Sequence, residues 1–183
     1  MIAYFRRGGR RACLALVLAL AGATQQASAA QTTIRNGTFW KDTAGTPIYS
    51  QGGGILRVGA KYYWYGVKYA EAVSYANAPG RALDQPHFSA VTAYSSTDLV
   101  NWTFEGDVLT PQGLGERYDP KAWLGRMGVV YHEATRKYVL LTQYSSKGTG
   151  GGVLFATSAS PNGPFVFERS EEHTSELQSR RDL

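Results

Sequence analysis

The 183-residue sequence contains one cysteine, Cys13, three histidines, and no apolar run long enough to span a bilayer, which takes about 20 residues. A single cysteine so near the start rules out an internal disulfide and leaves the remaining chain without thiolate chemistry. The histidines, at 87, 132 and 173, have no metal-ligand spacing. No calcium ligand set is visible either, and no cofactor is implied. Gly52-Gly53-Gly54 leads into a strand and lacks the Lys-Ser/Thr of a phosphate loop. The formal charge of +5 also says little once it is partitioned. Arg6, Arg7, Arg10 and Arg11 lie in the first 29 residues, whereas residues 30–168 hold 12 Lys plus Arg against 10 Asp plus Glu, with no basic cluster. Neither a nucleic-acid nor a membrane partner is expected.

Those four arginines precede an apolar stretch at 12–21, and Ala27-Ser28-Ala29 supplies small residues for cleavage. Residues 1–29 read as a signal peptide, so the mature protein is expected to be secreted or periplasmic. The paired arginines leave twin-arginine export open, although the residues after them fit that pattern poorly. At the other end, residues 169–183 change character abruptly, with no strand or helix periodicity. Arg169-Ser170-Glu171-Glu172-His173-Thr174-Ser175-Glu176-Leu177-Gln178-Ser179 resembles the in-frame translation of a sequencing-library adapter. It is set aside as a non-native tail, which leaves 30–168 as the mature domain.

That domain carries strand sequence written twice. Lys61-Tyr62-Tyr63-Trp64-Tyr65-Gly66 and Val91-Thr92-Ala93-Tyr94-Ser95-Ser96 are echoed by Lys137-Tyr138-Val139-Leu140-Leu141 and Val153-Leu154-Phe155-Ala156-Thr157-Ser158. Each copy opens with a short apolar run and a polar turn, which reads as a hairpin, and closes with a second strand pair. The expected fold class is all-β: a β-propeller of four-stranded antiparallel blades, blade 1 at about 50–110 and blade 2 at about 122–168. A β-sandwich with two similar hairpins would show the same local pattern. The copies differ in spacing mainly through the long 67–88 connection, as repeats allow.

Three stretches carry a family resemblance. Trp40-Lys41-Asp42-Thr43-Ala44-Gly45-Thr46-Pro47-Ile48, with Gln51-Gly52-Gly53-Gly54-Ile55-Leu56 and the Tyr-Tyr-Trp-Tyr-Gly run, looks like the opening blade of glycoside hydrolase family 43. Tyr94-Ser95-Ser96-Thr97-Asp98-Leu99-Val100-Asn101-Trp102 is similar to its next strand pair. Val129-Val130-Tyr131, Lys137-Tyr138-Val139 and Gly163-Pro164-Phe165 resemble its second blade. The resemblance covers nearly all of 38–167 and is greatest to the exo-β-1,3-galactanase branch.

It implies a five-bladed propeller with the sugar site in a central funnel, of which about two blades are present, and a monomer when the ring is complete. It also implies an inverting hydrolase, whose two carboxylates stand about 6.5 to 9.5 Å apart with water between them. The family's base Asp, at the start of the first innermost strand, is absent here and in the galactanase branch. Gln51 replaces that branch's His. In blade 2 the branch's Glu-Arg-Pro-Lys becomes Gly125-Arg126-Met127-Gly128, so the arginine aligns and the carboxylate does not. The family's acid belongs to later blades. No catalytic residue is assigned, and the substrate contacts expected are Gln51, Tyr65 and Arg126.

Other acids have plainer readings. Asp42, in Asp-Thr-Ala-Gly, reads as a turn residue. Glu133 follows His132 in a polar turn, and Glu116 and Asp119 sit in a connecting loop without dyad spacing. Alternation puts Tyr63 and Tyr65 on one face and Tyr62 and Trp64 on the other. The expected function is hydrolysis of galactan or a related plant cell-wall polysaccharide, by a chain truncated before its catalytic carboxylates and therefore inactive. The alternative is a non-catalytic carbohydrate-binding propeller. Two blades alone leave apolar faces open, so aggregation or partial unfolding is expected.

Overall fold

The structure, a computed structural model, describes residues 30–80, 86–115, 119, 122–146 and 150–172. Residues 1–29, read above as a signal peptide, and 173–183, most of the segment set aside as a tail, lie outside them. One sheet holds β1 (Gln51–Val58), β2 (Lys61–Tyr69), β3 (Phe88–Ser96) and β4 (Thr103–Leu109). The other holds β5 (Trp123–His132), β6 (Lys137–Ser146), β7 (Gly150–Ser158) and β8 (Val166–Glu172). Both are antiparallel with the strands in chain order, which is the architecture of propeller blades and agrees with the all-β reading.

Local chemistry sets the turns. Gly59, at φ 60°, closes the β1–β2 hairpin, in which Val58 pairs with Lys61. Asp98 organises the β3–β4 turn: its Oδ1 accepts the backbone N–H groups of Asn101 (2.7 Å) and Val100 (2.9 Å). Those bonds, the Asn101 N–H foremost, hold the Asp98 carboxyl far below its usual range. The 67–88 connection contains an unexpected short helix, α1 (Ala72–Asn77). It is tied at its base by the His87 N–H donating to Glu71 Oε2 at 2.9 Å. A second short helix, α2 (Pro111–Leu114), starts on a proline, whose missing N–H costs nothing there.

The alternation read from the sequence holds. Tyr65 and Val67 of β2, with Val91 and Ala93 of β3, face Leu124, Met127 and Val129 of β5, Leu140 of β6 and Leu154 of β7 in one buried core between the blades. Trp64 faces the other way, into an aromatic cluster with Trp40, Tyr94 and Trp102 at centroid separations of 5.4 to 6.0 Å. Residues 40–48 thus cover the outward face of the first blade. The outward side of the second blade leaves Val130 51% and Val166 58% exposed.

The last strand runs into the segment set aside as a tail. The polar run after Phe167 continues β8 through Arg169–Glu172, paired with Gly152–Phe155 of β7. An edge strand needs no apolar alternation and tolerates charge. The Arg169 guanidinium lies 4.8 Å over the Phe155 ring, which gives that polar segment a reason to stay on the sheet.

Candidate functional site

The first strand of each sheet carries a β-bulge near its N-terminal end, and the two bulges touch. In β1, Gln51 pairs with Val67 and Gly54 with Tyr65, so Gly52 and Gly53 oppose Gly66 alone. In β5, Gly125 pairs with Gln143 and Met127 with Thr142, leaving Arg126 as the extra residue. A Cβ on Gly52 would lie 3.5 Å from the Arg126 nitrogen, and one on Gly54 would lie 3.4 Å from the Met127 carbonyl oxygen. The innermost strands therefore run side by side, with Gln51 and Arg126 at adjoining ends. Bulges in such places re-aim side chains.

Glycine is required in the first bulge. Gly52 has φ 63°, and a Cβ at Gly53 would fall 1.5 Å from the Tyr65 carbonyl oxygen, which no side chain can survive. The second bulge puts Arg126 itself in the left-handed region at φ 50°, which a branched or bulky side chain rarely adopts. Buried threonines satisfy carbonyls that the bulges leave over. Thr142 Oγ1 donates to the Gly125 oxygen at 3.0 Å, and Thr92 Oγ1 lies 3.1 Å from the Gly66 oxygen. Such pairing is what buried polar groups need.

Of the three expected substrate contacts, the structure brings two together and places the third elsewhere. Gln51 and Arg126 are both exposed at the bulged ends. Tyr65 has no exposed surface; its hydroxyl donates to the Pro161 carbonyl at 2.6 Å, and its ring meets Phe165 edge-on at 6.2 Å. The reason is parity. Tyr65 shares its face of β2 with Val67, so it fills the inter-blade core, where burial raises its phenol pKa. A ring in that position offers no face to a sugar.

Sequence reasoning missed the immediate partners of Arg126. Nη1 donates to Gln143 Oε1 at 3.2 Å, and Cζ sits 5.9 Å from the centre of the Trp123 ring. Gly125 makes room, because a Cβ there would come within 2.5 Å of Trp123 Cζ2. The isolated glycine inside an apolar strand was the available signal.

Most described acids are already engaged at a distance from the bulges. Asp42 Oδ1 accepts the N–H groups of Ala44 and Thr46 at 3.0 and 2.9 Å, as the turn reading expected. Glu71 pairs with His87, Asp107 with Lys68, and Glu168 with Lys137. Glu105 accepts from Ser95, and Glu133 lies in the exposed β5–β6 turn. Asp119 accepts the Ala122 N–H through its backbone carbonyl; Glu116 lies outside the described residues. Neither β1 nor β5 contains a carboxylate. No group of three or more His, Cys, Asp or Glu gathers among the described residues. A cavity of about 410 Å³ lies on the outward side of blade 1 beside Phe39, Trp40 and Trp102, and neither bulge lines it.

A carboxamide and a guanidinium at adjoining strand ends can donate and accept hydrogen bonds, but neither moves a proton near neutral pH. The arrangement suits binding and orienting a neutral polyhydroxylated ligand.

No protein-family profile matches the sequence, and no curated protein does. Solved structures do. An exo-β-1,3-galactanase from Clostridium thermocellum is 33% identical with a TM-score of 0.59, over 75% of this chain and 27% of that one. The exo-β-1,3-galactanase from Phanerochaete chrysosporium, bound to β-1,3-galactotriose, is 32% identical with a TM-score of 0.61, over 74% and 29%. A GH43 β-1,3-galactosidase with galactodeoxynojirimycin is 35% identical with a TM-score of 0.58, over 75% and 38%. The chain thus spans between about a quarter and two fifths of the structures it matches. Joined to two blades in chain order around one shared core, these likenesses place the chain in glycoside hydrolase family 43, where the structures it resembles are β-1,3-galactanases and β-1,3-galactosidases.

Proposed function

We propose that the protein is an exported β-galactan hydrolase, whose two described blades supply part of the floor of the sugar funnel. The observation that carries this reading is the contact between the two bulges, which brings together the ends of β1 and β5 that carry Gln51 and Arg126, in a fold shared with enzymes of β-1,3-linked galactose. Gln51 and Arg126 hold hydroxyl groups of a terminal galactosyl unit. The general acid and base come from outside these two blades, because neither innermost strand carries a carboxylate. The leader at 1–29 directs the protein out of the cytoplasm, and the substrate is a polysaccharide or oligosaccharide of galactose.

The test is incubation of the 183-residue chain with β-1,3-galactan and with aryl β-galactosides, alongside a binding titration with β-1,3-galactotriose. Saturable binding without turnover is the expected result. Turnover well above buffer would contradict the placement of the acid and base, and loss of all saturable binding would contradict the galactan reading.

The absence of a carboxylate at Gly125 also favours a second reading, a carbohydrate-binding propeller without chemistry. Sequencing the source DNA separates the two. A Glu and an Asp at the starts of further innermost strands support the hydrolase, and their absence supports the binder.

A further inference from the structure

Arg126 is held from two sides, by the ring of Trp123 and the side-chain amide of Gln143. It stands on the extra residue of a bulge, with its backbone in the left-handed region. Trp123, three residues earlier, lies under the guanidinium at 5.9 Å. Gln143, directly across the ladder from Gly125, accepts from Nη1 at 3.2 Å. None of the ion pairs among the described residues includes Arg126, so a ring face and a neutral amide fix its direction and no carboxylate does. A carboxylate would occupy two of the five guanidinium donors in a fork. The single amide oxygen occupies one and leaves the others free for a ligand. Gly125 belongs to the same device, since a Cβ there would displace the Trp123 ring.

We propose that Gln143 and Trp123 are positioning residues that pre-orient Arg126 toward the funnel, Gln143 by one hydrogen bond and Trp123 by a cation–π shelf. A long arginine left alone loses rotamer freedom when it binds. Holding it beforehand moves that cost from binding to folding. The proposal rests on the reading that Arg126 contacts galactose, but it also makes a claim about the free protein.

The test follows the Arg126 Nε–H resonance of the ¹⁵N-labelled 183-residue chain, then titrates β-1,3-galactobiose. In the unmodified protein that resonance is displaced from free-arginine values by the Trp123 ring current. Gln143→Ala moves it toward the free value while the amide signals of the inter-blade core stay in place, and Gln143→Glu, which keeps the acceptor, restores it. Galactobiose affinity falls about tenfold in Gln143→Ala, as for the loss of one hydrogen bond to a charged group, and stays reduced in Gln143→Glu, whose carboxylate takes two of the guanidinium donors. Trp123→Leu abolishes the ring-current displacement. Should that variant fail to fold, the two Gln143 variants decide the question. An Arg126 resonance at the free position in the unmodified protein, or one unmoved by Gln143→Ala, overturns the proposal. A resonance that depends on Gln143 but ignores galactobiose leaves the positioning claim standing and overturns the galactan reading instead.

Discussion

The two blades use the same device at the same place and put different chemistry into it. In the first, the bulge is made of Gly52 and Gly53 pressed against Gly66 and the Tyr65 carbonyl. It shapes backbone and leaves Gln51 at its rim. In the second, the extra residue is Arg126, held at φ 50°, so the bulge itself projects a charged side chain. Repetition explains why both innermost strands bend at this end. The contents of each bend are specific to the blade. The first provides close approach between the strands, and the second projects the guanidinium of Arg126.

The sharpest way to break this comparison is to put a side chain where the first bulge has none. Gly53→Ala drives a Cβ into backbone atoms that cannot yield, and a loss of more than about 4 kcal/mol is expected, as for the most damaging core changes. Loss of the cooperative thermal transition would show it. Tyr65→Phe comes next. Removing the hydroxyl that donates to Pro161 costs about 1 kcal/mol, read as a lower denaturant midpoint, and leaves galactotriose affinity unchanged because Tyr65 is core. An affinity change without a stability change would return Tyr65 to the sugar site. Arg126→Gly gives the opposite pattern. Relief of the left-handed strain and the added freedom of the unfolded chain roughly cancel, so stability stays within about 1 kcal/mol while sugar binding is lost.

The smallest expected effect lies at the β3–β4 turn. Asp98 is held below its ordinary pKa by the Asn101 and Val100 N–H groups. Its contribution is therefore present above the unfolded-state value of about 3.9 and fades as the pH falls further. Lower amide-exchange protection at residues 100 and 101 below that pH, relative to the intrinsic rate at each pH, with the inter-blade core unchanged, is the expected reading. Asp98→Asn should remove the pH dependence.

Much of this was legible in the chain. Alternation through residues 62–67 separated the core face from the outward face, and Asp42 declared its turn through its neighbours. The pairing of the bulges was not legible, because it depends on contact between strands more than seventy residues apart, which no local period encodes. Tyr65 was misjudged because an aromatic next to a candidate site looks like a sugar platform until its parity with Val67 is weighed. The end of β8 was hidden for a different reason: a polar edge strand has the composition of a tail, and only a partner such as Phe155 shows that Arg169 belongs to the sheet.

The central claim is that the touching bulges form a sugar-binding floor. Its most direct test is an amide map of the ¹⁵N-labelled chain titrated with β-1,3-galactotriose. Saturable shifts centred on Gln51, Gly52, Gly125 and Arg126 are predicted. Shifts confined to the cavity beside Trp40 and Trp102, with the bulges silent, would contradict it.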